Sequence, residues 1–478
     1  MKMRYNIYES YKPLMEDWND YISVVREHVE GFSDLEATQL AILLENTKTE
    51  LEIAKGRLTN GLITETTDVS MVNTFQSTVF DIVTAVMPNL IANDIVSVQP
   101  LDRRTGQVFF LKFKYADKKG QIAQNSNMLT PSTGFAGNDY SGERITGEIV
   151  VAHGSAQTID KSLPYFPVIP GSVTLTDGTK SVTDTPTGDG LTGTFAGTLK
   201  DGNTNKTITY ATGRIHLDIV STTIDVTATW NYDLNSPDAQ VSEVNVSVES
   251  EPVVARPRKL KSVYMFDTAY DLKMSFGLDM DTVIMKATSG EIGFEIDNEI
   301  MTDLLAIAGS DSGWNSEPPY KGMGIADWQL EIIDAINNAS NTILSLTKRY
   351  EGTFVICGKN AATTIEGLGK DHFQRVSTGG IVGGPHLCGI LEEKYKVYKN
   401  PNYDDDAMLV GAKGEMFIEA GYVYAPYIPI FATQLLVDEN LKAKRGFCTV
   451  YAKKVVNPNM YHRIAITHIE SVTPFDVP

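Results

Sequence analysis

Met87–Phe110, MPNLIANDIVSVQPLDRRTGQVFF, decides how the rest of the chain is read. Pro88 lacks an amide hydrogen and stops the apolar helical pattern running into it. Ile95–Val98 then reads as a strand, Asp102–Gly106 as a polar turn and Gln107–Phe113 as a second strand. A helix delivered into a strand pair is a packing signature, and nothing in it is spaced for catalysis.

Upstream, the entering helix spans Met71–Met87, with Val72, Phe75, Val79, Ile82, Val83 and Val86 on one face. A Thr-rich linker, Leu62–Asp68, separates it from a helical arm. In the arm Trp18, Tyr21, Ile22, Val25 and Val29 recur at three- and four-residue steps, as do Leu40, Leu43, Leu44, Leu51 and Ile53 less regularly. Ser33-Asp34-Leu35-Glu36 has the form of a capping box. Little apolar text lies nearby, so a neighbouring subunit or an internal scaffold is the expected partner of the arm.

Downstream, Asp117–Gly147 reads as an exposed loop. Val168–Asn235 changes character: Ile215, Leu217 and Ile219, then Val226, Ala228, Trp230 and Tyr232, alternate with polar residues. Turns at Asp177-Gly178 and Asp201-Gly202 complete the signature of a small antiparallel all-β insertion. Strands over Val241–Val254 and a basic run with Arg256, Arg258, Lys259 and Lys261 follow. Thr268–Ala308 is helical, interrupted near Gly277, and Met280–Ala308 alone would extend roughly 43 Å. Ile284, Ala287, Ile292, Ile296, Ile300, Leu304 and Ile307 form its apolar stripe. Gly290 and Gly293 each cost about 1 kcal/mol relative to alanine in a helix, and read as a close-packing or bending point. After a loop at Gly309–Gly324, an α/β unit is expected: helix Asp327–Arg349, strand Phe354–Cys357, helix Ala361–Leu368, and strands around Lys394–Tyr398 and Ala407–Val410. Met416–Glu470 is strand-rich.

At 478 residues, with 42% hydrophobic and 21% charged residues, the chain is globular and long enough for about three domains. A net charge of −19 excludes a general basic nucleic-acid footprint. Cys357, Cys388 and Cys448 lack metal-ligand spacing and read as small hydrophobes in a reducing cytosol. No apolar run has membrane-span length and the amino terminus lacks a secretory core, so no membrane contact is expected.

Enzyme signals are weak. The loop Gly379–Gly384 lacks the spacing and lysine of a phosphate-binding loop. Asp404-Asp405-Asp406 lacks the alternating ligands of a calcium loop. His386 and Cys388 sit on one side of a strand without an orienting Asp or Asn. No catalytic, cofactor-binding or metal-binding residue is assigned.

Pro88-Asn89-Leu90-Ile91-Ala92, Val98-Gln99-Pro100 and Thr105-Gly106-Gln107-Val108-Phe109 resemble the major capsid proteins of T-even-type tailed phages, as do Leu260–Leu305 and Gly411–Pro426 (GAKGEMFIEAGYVYAP). The resemblance implies an α+β, Hong-Kong-97-type capsid fold with an inserted all-β domain. Its parts would be an N-terminal arm and possible propeptide (1–67) and the start of a peripheral domain (68–118). An E-loop region (119–255) would hold the insertion at about 168–235. A spine helix with the rest of the peripheral domain (256–310), an axial domain (311–435) and returning C-terminal strands (436–478) would follow. The implied function is a myovirus major capsid protein, assembled in host cytoplasm, whose hexamers and pentamers form the icosahedral head around double-stranded DNA held without sequence-specific binding. Implied partners are vertex and portal proteins, scaffold, a prohead protease and decoration proteins. The family's protease recognises a hydrophobic residue two before a glutamate; Ile63-Thr64-Glu65 fits and makes Glu65 the candidate maturation cleavage site, with persistence of the arm as an inter-subunit clasp as the other reading. Leu43-Leu44-Glu45 also fits, but within a helix. Arg256, Arg258, Lys259 and Lys261 are candidates for inter-subunit ion pairs, with solvated edge charges as the other reading. Two departures stand out: the insertion sits where the E-loop belongs, and the arm matches the family poorly. A different class of function is a tail or baseplate protein whose insertion stacks glycans on Tyr210, Trp230 and Tyr232. A cellular encapsulating-compartment shell is a third.

Overall fold

The arm does not wait for a partner. Its helices α1 (Ile7–Asp17), α2 (Asn19–His28) and α3 (Asp34–Thr59) bury Trp18, Ile22, Val25, Leu40, Leu43 and Leu44 in the main core of the same chain. The expected neighbour or scaffold is thus replaced by the chain's own body, which sequence proximity could not reveal. Asn46 Nδ2 donates to the carbonyls of Leu101 (2.9 Å) and Tyr427 (3.0 Å), and Gln39 Nε2 to that of Val98 (2.7 Å). Ser33 and Glu36 form the capping box, with Ser33 N donating to Glu36 Oε2 at 2.7 Å. This computed structural model describes residues 7–29, 32–59, 80, 83–84, 86–126, 128, 140–201, 206–316, 328–376, 384–405, 407–414, 416, 418–433, 436–437 and 442–467. Most of the helix expected over Met71–Met87, the linker with Glu65, and Gly379–Gly383 lie outside these residues.

The opening stretch differs from its reading in one respect. Ala92–Ile95 forms a short helix, α4, and the strand β1 is confined to Ser97–Val98. The helix overlaps the expected strand only at Ile95, and Asp297 accepts from the amides of Ile91 (3.2 Å) and Ala92 (3.1 Å) at its start, donors that no helical carbonyl satisfies. The chain leaves the first of two compact units, 1–111 with 249–478, along β2 (Thr105–Tyr115).

The second unit, 112–248, is all-β. It holds β3 (Arg144–Val151), β4 (Gln157–Ser162), β5 (Thr174–Thr176), β6 (Ser181–Pro186), β7 (Thr192–Gly197), β8 (Lys206–Thr209), β9 (Arg214–Ile219) and β10 (Val226–Asn231). They form one sheet in the order β3-β10-β5-β6-β7-β8-β9-β4, antiparallel wherever register is defined. The boundary expected at Val168 therefore falls too late, and Arg144–Gly147 is strand where a loop was expected. β3 and β4 supply Ile145, Val150 and Ile159 to a core with Leu175, Phe195, Ile215, Leu217, Ala228 and Trp230. Lys119, 3% exposed, donates to the carbonyls of Tyr140 (2.8 Å) and Gly142 (2.6 Å) among the rings of Tyr140, Tyr165 and Tyr232. A fragment 112–248 is expected to unfold cooperatively with β-type circular dichroism, whereas 168–235, lacking two strands, should not fold. A stable 168–235 fragment would contradict this.

The chain returns along β11 (Val244–Val254), which pairs with β2, into β12 (Arg256–Met265), α5 (Phe266–Phe276) and the 28-residue α6 (Met280–Ile307). Gly277, at φ 67°, caps α5 in the left-handed conformation that a side chain disfavours. Then come β13 (Ser310–Asn315), α7 (Glu331–Thr347), β14 (Phe354–Cys357), α8 (Lys359–Gly367), β15 (Phe373–Arg375), β16 (His386–Leu391), β17 (Tyr395–Lys399), β18 (Ala407–Gly411), β19 (Tyr422–Ala432), β20 (Leu436–Val437), β21 (Lys442–Val455) and β22 (Tyr461–Thr467). One sheet runs β1-β19-β21-β12 with β20 beside β21; the other runs β13-β22-β18-β14-β17-β16-β15. β13 occupies sequence read as loop, because Ser310–Asn315 finds a parallel partner in β22, 150 positions away.

Candidate assembly surfaces

The sheet ending in β12 and the helix α6 position most of the predicted site residues. α6 buries Met285, Ile292, Ile296, Ile300, Met301 and Leu304, the 3.6-residue stripe that holds it on the core. Its polar side is tied to the strands. Glu299 accepts from Lys453 Nζ at 2.7 Å and from Tyr451, and pairs with Arg258. Asp303 accepts from the Tyr422 hydroxyl at 2.8 Å and from Lys453. Burial opposes ionisation of Glu299, but the Lys453 and Tyr451 hydrogen bonds outweigh it and hold its carboxyl below the usual range.

Of the four candidate cations, Arg258 is satisfied within its own subunit, paired with Glu299 and 5.3 Å from the centre of the Tyr451 ring. Alternation along β12 places Lys259 and Lys261 on the opposite face from Arg258, where they line a groove with Arg104. Among the described residues, neither lysine nor Arg256 makes an ion pair within the subunit. β12 is an edge strand with Lys259 in register with Cys448 and Lys261 with Gly446.

The subunit itself gives Gly290 and Gly293 no close-packing role. A Cβ on Gly290 would meet nothing within 4 Å, and one on Gly293 would touch Val86 at 3.5 Å and Leu90 at 3.6 Å, ordinary contact distances. α6 runs through both without interruption.

Asp297 escaped the sequence reading. It is 3% exposed on the core side of α6, and loss of hydration pushes its carboxyl up to about 7 against the two amides it accepts from. Asp94 adds to the rise; it accepts from the Tyr398 hydroxyl (3.0 Å) and Lys396 (3.3 Å). The only sequence signal was an acidic residue inside an apolar stripe.

The glycan reading fails on burial: Trp230 and Tyr232 are 0% exposed and Tyr210 3%. Trp230 Nε1 donates to the Tyr165 carbonyl at 3.2 Å, and the Tyr210 hydroxyl to Asp184 at 2.7 Å. His386 Nδ1 donates to the Gly384 carbonyl at 3.1 Å, and burial pushes the Cys388 thiol up to about 11, the wrong direction for a nucleophile. Asp405 pairs with Lys359 at 3.3 Å. The surfaces that remain are edges, grooves and exposed apolar corners, the material of subunit contacts.

Comparison with known proteins bears on the same conclusion. The family model described as major capsid protein Gp23 matches residues 72–473. The chain belongs to the Gp23 major capsid protein family. As a Gp23-family protein it is a structural component of the phage capsid and of the virion. The major capsid protein of Vibrio phage KVP40 is similar, with 27% identity over 419 residues, covering 80% of this chain and 76% of the relative. That of Enterobacteria phage T4 is 26% identical over 395 residues, covering 78% and 74%. Among solved structures, the capsid of Myoviridae phage XM1 aligns over 49% of this Gp23-family chain and 81% of its own, with 9% identity and a TM-score of 0.34.

Proposed function

We propose that this capsid protein closes into hexamers and pentamers that form an icosahedral head around DNA, using a Hong-Kong-97-type fold. The family match across 72–473 carries this reading. In it, α6 is the spine, the β1-β19-β21-β12 sheet with α6 the peripheral domain, the seven-stranded sheet with α7 and α8 the axial domain, and β2 with β11 the stem of the E-loop region. This corrects the expected bounds, since β19, within 311–435, pairs in the first sheet and β22, within 436–478, in the seven-stranded one. The β-insertion then faces the outer surface, where it can meet decoration proteins. Acidic subunits leave packed DNA mobile, and apolar contacts must exceed the repulsion that salt screens beyond about 10 Å. Vertex and portal proteins, scaffold and a prohead protease complete the assembly set.

Sedimentation of the purified chain, assembled with its scaffold, tests the reading: fast particles are expected, and a purely monomeric population would reject it. Gly290 and Gly293 are assigned to a bend or contact that exists only in the shell. A G290A/G293A chain should fold at least as well as the parent yet yield fewer mature particles; equal yield removes that role.

Glu65 lies in the segment between arm and body, and cleavage after it would release α1–α3 from the core they cover. Leu43 and Leu44, 1% and 0% exposed in α3, deny a protease the alternative site at Glu45. Intact mass of the protein from mature virions should give a chain starting at Thr66; a full-length mass rejects the cleavage.

A further inference from the structure

One face of the sheet edge carries an open groove of about 610 Å³. Arg104, Lys259 and Lys261 line it against a single carboxylate, Glu50. None of these three cations makes an ion pair within the subunit, among the described residues. The apolar lining includes Ile428 and Phe431, with the half-buried Cys448 beside Lys259. In a chain of net charge −19, such a local excess of positive charge calls for an acidic occupant.

The corner between α5 and α6 has the complementary character. Met274, Phe276 and Leu278 are 69%, 73% and 51% exposed, and Tyr270 58%. From Phe266 to Val283 the sequence holds four aspartates, Asp267, Asp271, Asp279 and Asp281, against Lys273. Gly277, whose amide donates to the Lys273 carbonyl at 3.0 Å, fixes the turn. Side chains this apolar are rarely left together in water unless they meet a partner.

We propose that the groove receives the α5–α6 corner of a second copy of this chain. The inference rests on the reading of the chain as a shell subunit. Groove and corner are different patches, so the contact is heterologous and closes by rotation into a ring. Phe276 and Leu278 enter the apolar lining, while Asp271 and Asp279 approach Lys259 and Lys261.

Two experiments on the full chain test it. In a Cys388→Ser background, Leu278→Cys places a thiol on the corner and Cys448 supplies one in the groove. Treating assembled particles with a short bis-maleimide should give a ladder of covalent oligomers that disappears with Cys448→Ser. Separately, Lys259→Glu with Lys261→Glu should cut particle yield by more than about tenfold, since like charges then face each other. Adding Asp271→Lys and Asp279→Lys should restore it. Circular dichroism of the unassembled charge variant checks its folding, and the cross-linking arm, which leaves both lysines in place, decides if it does not fold. Particles without the ladder, or undiminished yield from the lysine variant, overturn the contact while leaving the shell reading intact. A parent chain that forms no particles overturns both.

Discussion

Asp297→Asn is expected to change how the stability of the chain depends on pH. The carboxyl of Asp297 is pushed up to about 7 in the folded chain, well above its unfolded value, because burial removes its hydration. Between the two values the folded state binds more protons than the unfolded state, so this residue's contribution falls as pH rises through about 7. The whole gap corresponds to about 4 kcal/mol. Asparagine cannot ionise, and its single oxygen satisfies the amides of Ile91 and Ala92 less well, a loss of about 1–3 kcal/mol. Below about pH 4 the variant should therefore be less stable than the parent, and above about pH 7 equal or more stable. Urea unfolding across that range checks it. A parallel offset at every pH would show that Asp297 does not titrate in the folded core.

Trp230→Ala should cost about 3–5 kcal/mol in the β-insertion, the usual range for removing a buried aromatic. Trp230 is 0% exposed, and its indole donates to the Tyr165 carbonyl, which would lose its partner. Denaturant unfolding of the 112–248 fragment provides the reading. A glycan platform would show the opposite: loss of sugar binding with stability unchanged.

The sequence revealed elements wherever burial follows a local period. Ile292, Ile296, Ile300 and Leu304 announce α6 because each lies one turn from the last. Val226, Ala228, Trp230 and Tyr232 announce β10 in the same way, all on the buried side of one strand and its extension. What stayed hidden depends on residues far away in the chain. β4 buries only Ile159 among six residues, too sparse an alternation to read. The short helix α4 ahead of β1 stayed hidden because Asp297, about 200 positions downstream, accepts from the Ile91 and Ala92 amides at its start. The arm's true partner is assembled partly from β19, more than 350 residues away. Among the candidate sites, the basic run was legible as charge, but only the pairing of β12 with β21 separates Arg258, turned toward Glu299, from Lys259 and Lys261 in the groove.

Electron micrographs of particles purified after assembly of this chain with its scaffold test the central claim most directly. Closed shells whose class averages resolve six-fold and five-fold rings of this subunit are the predicted result. Open sheets, tubes of another protein, or free monomers with no rings would contradict the account.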